Sequence, residues 1–386
     1  MEPKTFMIIA GEASGDLLAS ELVSALREKL PGTTFFGVGG EKLAANGVET
    51  LYNMSQLAVV GITDVYRKTL EFRRLLKFLL AEAIRRQPDV IIGVDYGGFN
   101  LRFARMVKEH VRNHPGGWKP KTVQFISPQV WASRPKRAKR LAADCDLLLS
   151  IFPFEKDWYA QRVPQLRVEF VGHPMVDRFT NDDLRSTRRG QDGVSVMTRE
   201  PRILLLPGSR RSELKQHLPA MLGAIKLIRD KFPQLKTNMV VPSDATARLA
   251  KTLGADMEIQ IGNLPAALVA ADVAIAKTGT VTMECAFFRV PTVTLYKGSW
   301  INYQIARHYI TVKTFTMPNL LAGEEVFPEF LQQALTAENL ARATLELLES
   351  APHRAKMQSQ LDKIIASLGE PGATKRAAVA IMTLLT

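Results

Sequence analysis

The stretch "PDVIIGVDYGGFN", residues 88–100, places a single carboxylate, Asp95, directly after an apolar run, with Gly97 and Gly98 leaving room beside it. A carboxylate at the end of a buried strand can take a proton from an attacking hydroxyl, directly or through a water. It can also do no more than fix its own loop by accepting backbone N–H bonds. A second constellation, "LLLPGSRRSE" (204–213), offers Gly208, Ser209 and Arg210 straight after a fully apolar run. Glycine lets the backbone approach an anion and a guanidinium grips phosphate oxygens in a forked geometry, so this loop is read as a phosphate site. A third, "KTGTVTMECA" (277–286), turns through Thr278, Gly279 and Thr280 into a helix. The free N–H groups of such a helix start can take a diphosphate. Glu284, one turn on, can accept hydrogen bonds from both ribose hydroxyls or be an ordinary first-turn acid.

"AGEASGD" (10–16) also joins a strand to a helix, but it lacks the GxGxxG of dinucleotide folds and the GK[ST] of a P-loop. Hydride transfer and NTP hydrolysis lose weight accordingly, and Ser14 is either part of a binding loop or a helix cap. In "SPQVWASRPKR" (127–137), Trp131 beside a basic group suits a sugar or lipid platform, or a buried core position. His173, in "FVGHP", stands at the end of a strand, facing a cleft or donating to a backbone carbonyl. The "DCD" of Asp144 and Asp146 precedes an apolar strand and so belongs at the amino edge of a sheet, away from ligands. No metal and no cofactor are expected. From Asn53 to Leu80, Met54, Leu57, Val59, Val60 and Ile62 neighbour Arg67, Lys68, Arg73, Arg74 and Lys77. Apolar side chains that insert beside cations that meet head groups let a protein lie on an anionic bilayer; core packing is the alternative.

Positioning these groups requires strands that end where the motifs begin. Apolar runs of a few residues, such as "TFMIIA", "TTFFGVGG", "DVIIGVD", "KTVQFIS", "DLLLSIFPF" and "VEFVG", alternate with amphipathic stretches such as "LLASELVSALREKL" and "LRFARMVKEHVRN". That alternation predicts a parallel sheet with helices on both faces, an α/β fold, over residues 1–177. The polar stretch from Asp177 to Pro201 reads as a linker. Alternation resumes with "RILLLPGSR", "KTNMVVPS", "DVAIAKTGT" and "PTVTLY", predicting a second domain over 178–350, followed by carboxyl-terminal helices over 351–386. Ligands of such sheets gather at the carboxyl ends of the strands, which is where the three constellations fall.

The chain has 386 residues, enough for two domains and a cleft between them. Charged residues are 23% and apolar residues 46%, the balance of a globular protein. The amino-terminal apolar run is too short for a signal sequence, so export is not expected. Cys145 and Cys285 stand alone without a CxxC, which fits a reducing cytoplasm. Lys and Arg number 51 against 38 Asp and Glu, a formal net charge of +13, and point to an anionic partner. The aromatic-rich signature of RNA-binding domains is missing, so nucleic acid is not the expected one.

Together the motifs resemble the lipid-A-disaccharide synthase family, glycosyltransferase family 19. The resemblance rests on "AGEASGD", Gly39 and Gly40, "GI" ahead of Asp64, "FN" after the Asp95 loop, "ISPxVWA", "VGHP", "LLPGSR", "TGT…EC", "MPNLLAGEE" and "EFLQ". It implies a GT-B glycosyltransferase, two Rossmann-like domains facing a cleft, with the terminal helix returning to the first domain. It assigns the diphosphate to Gly208, Ser209 and Arg210 with support from Gly279 and Thr280, the ribose to Glu284, and the rest of the nucleotide pocket to Asn319, Glu329 and Gln332. The substrates implied are UDP-2,3-diacylglucosamine and 2,3-diacylglucosamine 1-phosphate, at the inner face of the cytoplasmic membrane; a homodimer is one assembly it admits. Family members carry an acid, their usual general base, where this chain has Gly98. Asp95 is therefore the expected base, with Glu12, Asp16 or His173 in reserve. The rivals are a UDP-sugar epimerase of the same architecture and an inactive basic protein that binds membrane or RNA.

Overall fold

The computed structural model describes residues 3–53, 65–179, 200–298, 312 and 314–385, with the side chains of residues 13 and 65–69 outside that description. The chain forms two compact units, Met1–Asp177 with Leu368–Thr386, and Arg178–Ser367.

The first unit is built on a seven-stranded parallel sheet in the order β3-β2-β1-β4-β5-β6-β7. Its strands are β1 (Thr5–Ala10), β2 (Thr34–Gly39), β3 (Glu49–Asn53), β4 (Val90–Val94), β5 (Lys121–Phe125), β6 (Leu147–Ser150) and β7 (Arg167–Phe170). A parallel sheet covered on both faces needs strands that are apolar throughout, not alternating. "FMIIA" of β1 and all of β4 and β6 are buried. In the helix Gly97–Asn113, Phe99, Phe103 and Val107 recur every fourth residue and share a core with Leu75, Leu76 and Leu79 of the helix Val65–Arg86 and with Met7, Ile9 and Ile91 of the sheet. Each such side chain contributes roughly 1.5–3 kcal/mol by leaving water.

The carboxyl-terminal helix Ala373–Met382 belongs to this unit and packs on the helix Ala13–Lys29. Asp177 accepts the N–H groups of Gly372 and Ala373 at its start, and the Arg376 guanidinium donates to the carbonyl of Val171 at 2.8 Å. The preceding helix, Ala351–Ser367, lies in the second unit. Residues 351–386 are thus divided between the two units.

The second unit carries a six-stranded parallel sheet in the order β10-β9-β8-β11-β12-β13. Its strands are β8 (Arg202–Leu206), β9 (Lys236–Val241), β10 (Glu258–Ile261), β11 (Val273–Lys277), β12 (Thr292–Tyr296) and β13 (Glu329–Leu331). In each sheet the strand order reverses once, between β1 and β4 and between β8 and β11, and those switch points open crevices at the carboxyl edge.

Periodicity alone does not find β3, β10 or β13, which are short edge strands of mixed polarity such as "EIQI". The expected strand "DLLLSIFPF" stops at Ser150, because Pro153 opens the helix Pro153–Ala160. Proline is suited to a first helical turn, where its missing N–H would have had no partner. Of the expected linker, residues 180–199 lie outside the described residues.

Candidate active site

At the first switch point, β4 ends at Val94 and the next two residues take left-handed backbone conformations, Asp95 with φ 51° and Tyr96 with φ 43°. Each costs a non-glycine residue roughly 1–2 kcal/mol, so the surroundings must hold them there. The Asp95 N–H donates to Phe125 at 2.8 Å. Its carbonyl accepts from Asn100 Nδ2 at 2.8 Å and Gln124 Nε2 at 3.0 Å, two amides that are 3% and 2% exposed. The Tyr96 ring packs on Phe99 and lies against Gly11, where a Cβ would stand 2.3 Å from it. Only glycine fits at that contact. Burial pushes the Asp95 carboxyl above its usual range, the Tyr96 N–H opposes this, and the negative charge of Glu12 adds to it. A Cβ built on Gly98 meets no heavy atom within 4 Å, so the space beside the turn is open.

The reserve residues divide in role. Glu12 is exposed at the start of the helix Ala13–Lys29 and its side chain forms no cap. Ser14 lies inside the first turn, exposed, and is not the cap residue. Asp16, expected as a reserve base, is 7% exposed and accepts the N–H groups of Gly40 at 2.6 Å, Lys42 at 3.0 Å and Leu43 at 3.3 Å. It is a structural anion at the start of the short helix Glu41–Ala45. His173 accepts the Met175 N–H on Nδ1 at 3.2 Å, while its own N–H donates to Leu368 at 2.9 Å.

Trp131 corrects the platform expectation. It is 6% exposed, packs edge-on to Phe154, and donates from Nε1 to Glu155 at 2.9 Å. Glu155 is wholly buried, and desolvation pushes its carboxyl up to about 7 against hydrogen bonds from Trp131, Ser127 and the backbone. Asp146 sits before β6 as its position predicts, held by Lys108 and the Thr122 N–H, each at 2.7 Å.

At the second switch point, Gly208 has φ 122°, and a Cβ there would meet Glu213 Oε2 at 2.5 Å. Glu213 Oε2 accepts the N–H groups of Ser209 at 2.9 Å and Arg210 at 3.2 Å, and Oε1 pairs with Lys277 Nζ at 3.1 Å. Ser209 and Arg210 are exposed ahead of the helix Arg211–Lys231. The buried His217 pins this loop: Nδ1 reaches the Pro207 carbonyl at 2.8 Å and Nε2 accepts the Lys297 N–H at 3.1 Å. Burial pushes its pKa down, which suits that neutral tautomer. The third constellation follows β11. Gly279 precedes the helix Thr280–Phe287, Thr280 is exposed at its first turn, and Thr282 Oγ1 donates to Gly279 at 2.6 Å. Glu284 is half-buried; desolvation raises its carboxyl and Arg178 draws it back.

Asn319, Glu329 and Gln332 are not alike. Asn319 is 1% exposed and its amide is fully engaged, with Oδ1 accepting from Val326 and Phe327 and Nδ2 donating to the Phe327 carbonyl and to Glu329. Glu329 also accepts the N–H groups of Phe315 and Thr316 and the Thr316 hydroxyl, each at 2.8 Å. Both shape the loop around the helix Met317–Ala322. Gln332 is 7% exposed, and its Nε2 has no hydrogen-bond partner among the described residues. A buried donor left unpaired costs about 1–3 kcal/mol, so of the three it is the one fitted to receive a ligand oxygen.

Of the expected membrane patch, Met54, Val59 and Val60, with the side chains of Arg67 and Lys68, lie outside the described residues. Arg73, Arg74 and Lys77 are exposed on the helix Val65–Arg86, beside Leu70 and Phe78 at 38% and 46% exposure. Among the described residues no helix is long and apolar enough to cross a membrane, and no cluster of three or more His, Cys, Asp or Glu could hold a metal ion.

The site residues that motif reading passed over are Asn100, Gln124, Glu213, His217 and Lys277. Glu213 carried a signal, since an acid three residues after the loop residue Arg210 is placed to reach back to loop N–H groups. Gln124, inside the run "KTVQF", and His217, in the first turns of an amphipathic helix, carried none, because a polar residue shows its buried partner only in the fold.

The model of the lipid-A-disaccharide synthetase family matches residues 6–383. The lipid-A-disaccharide synthase of Myxococcus xanthus is 35% identical over 390 residues, covering 99% of this chain and 98% of that one. That of Alcanivorax borkumensis is 36% identical over 388 residues, covering 98% and 97%. Among solved structures, UDP-GlcNAc 2-epimerase from Neisseria meningitidis superposes with a TM-score of 0.62 at 11% identity over 99% of each chain. MurG of Acinetobacter baumannii superposes with a TM-score of 0.58 at 15% identity, covering 99% of this chain and 100% of that one. Likeness at such identities shows a shared fold, the GT-B arrangement of two Rossmann-like domains found in glycosyltransferases and epimerases. The family model and full-length relatives go further: the chain belongs to the lipid-A-disaccharide synthetase family, glycosyltransferases of lipid A biosynthesis.

Proposed function

We propose that the enzyme transfers 2,3-diacylglucosamine from UDP-2,3-diacylglucosamine to 2,3-diacylglucosamine 1-phosphate, giving a β-1,6-linked disaccharide 1-phosphate and UDP. The second unit holds the nucleotide and the first takes the acceptor. The observation that carries the assignment of the base is the Asp95 turn, a carboxylate at a switch point whose proton affinity burial has raised. A base with a raised pKa accepts a proton more readily. Asp95 takes the proton of the acceptor hydroxyl, directly or through a water, as its oxygen bonds to the anomeric carbon. The bond from that carbon to the β-phosphate oxygen breaks with inversion, and its electron pair leaves with UDP. Arg210 and the amino end of the helix Thr280–Phe287 stabilise the departing diphosphate without a metal. Glu284 holds the ribose, and Gln332, with Glu329 and Asn319 behind it, completes the nucleotide pocket.

The exposed cations Arg73, Arg74 and Lys77, with Phe78 and Leu70, suit docking on an anionic bilayer, where both acylated substrates reside. That supports a cytoplasmic enzyme held peripherally on the inner face of the membrane. The test is UDP release by the purified protein in detergent with chelator, offered diacylated UDP-glucosamine with and without diacylglucosamine 1-phosphate. Release that needs both substrates is expected. Release from the donor alone would favour an epimerase, and no release under either condition would favour a binding protein.

A further inference from the structure

We propose that Lys277 is a second cation of the diphosphate site, the one that distinguishes a nucleoside diphosphate from a monophosphate, and that Glu213 is the residue that positions it. The inference rests on the reading of the second unit as the nucleotide-binding one.

The sheet register brings the parts together. Ala276 of β11 pairs with Leu206 of β8, so Lys277 stands beside Pro207, directly ahead of Gly208, Ser209 and Arg210. Lys277 Nζ lies 3.1 Å from Glu213 Oε1, and 3.2 Å from where a Cβ on Gly279 would stand. The ammonium is therefore linked to the first glycine turn through Glu213 and lies over the side-chain-free face of the second. An ammonium has three donors, and one reaches Glu213. Its side chain is 23% exposed, open enough to meet a ligand and sheltered enough for its charge to be felt.

Glu213 sets the need for such a cation. Its carboxylate takes the N–H groups of Ser209 and Arg210, the donors a phosphate would otherwise use at the start of the helix Arg211–Lys231. With those two donors engaged by an internal anion, more of the attraction for a diphosphate at this loop falls to side chains. Arg210 supplies one charge and Lys277 the other. The conformation of Gly279, φ 143°, keeps the space above the ammonium free of a side chain.

Isothermal titration of UDP, UMP and uridine against the full chain tests this. In Lys277→Met, affinity for UDP is expected to fall about ten- to hundredfold, the worth of a charge-assisted contact, while affinity for uridine stays within about twofold. The preference for UDP over UMP should shrink by a similar factor, and Lys277→Arg should restore most of it. Lys277→Gln, which keeps a hydrogen bond to Glu213, serves the same comparison if the methionine variant unfolds. Undiminished UDP affinity in both neutral variants would overturn the proposal. Wild-type protein that binds neither UDP nor UMP would instead overturn the nucleotide reading and this inference with it.

Discussion

The two switch points occupy the same place in two sheets of the same order, yet they are built for opposite charges. Beside β1 and β4 the crevice carries Glu12 and Asp95, with a strained turn held by buried amides. Beside β8 and β11 it carries Arg210 and Lys277 next to glycine turns, with Glu213 bonded to the Arg210 N–H and paired with Lys277. Similar backbones thus present carboxylates in one unit and cations in the other, the contrast on which the proposed base and anion clamp rest, because the topology supplies an edge and the loop residues supply the charge.

Substitutions can break that contrast, beginning with the acidic side. Asp95→Asn keeps the shape of the turn but removes the base, and is expected to lower kcat by about 10²–10⁴-fold with little change in KM for the nucleotide sugar. Equal kcat in wild type and variant would reduce Asp95 to a loop-fixing role. On the basic side, Arg210→Ala should lower kcat/KM about 10²–10³-fold through lost stabilisation of the leaving group. An effect confined to KM would mean that Arg210 binds ground state and transition state alike. Gly98→Asp in the Asp95→Asn background sharpens the comparison, since the open space at Gly98 accepts a side chain. Recovery of about tenfold in kcat is expected; no recovery would mean that an acid at this position does not reach the reacting hydroxyl.

Two smaller effects concern stability. Gly11→Ala forces a methyl against the Tyr96 ring and should cost about 1–3 kcal/mol in denaturant unfolding. Glu155 gives a pH signature. Its carboxyl is pushed from 4.5 to about 7, so the folded state holds the proton more tightly than the unfolded chain. The contribution is present in full below pH 4.5 and is lost as pH rises through about 7, a fall of up to about 3 kcal/mol. Glu155→Gln should flatten unfolding free energy across that window, and an unchanged slope would assign it to other groups.

The long buried strands and the glycine loops were legible because their signals are local: unbroken apolar runs such as "VIIGV", and turn residues at strand ends. The edge strands β3, β10 and β13 were not, because strands exposed along one side need no apolar run. Trp131 shows the limit for side chains. Its neighbours in sequence admit a platform or a core position, and only Glu155, from another element, decides for the core. Asp16 shows the same, since the N–H groups that claim it lie beyond β2.

By itself the sequence determined the parallel architecture and the family and set the candidate groups just after the strands, because each is written in short runs of residue types. The tertiary structure alone decided which polar groups hold the fold and which keep hydrogen-bonding capacity to spare. Asp16, Asn319 and Trp131 are engaged by distant partners, while Asp95 is half-buried in a strained turn and Lys277 is drawn to the glycine loops. The availability of a polar group depends on the hydrogen bonds it has already made, and those partners meet only when the chain folds.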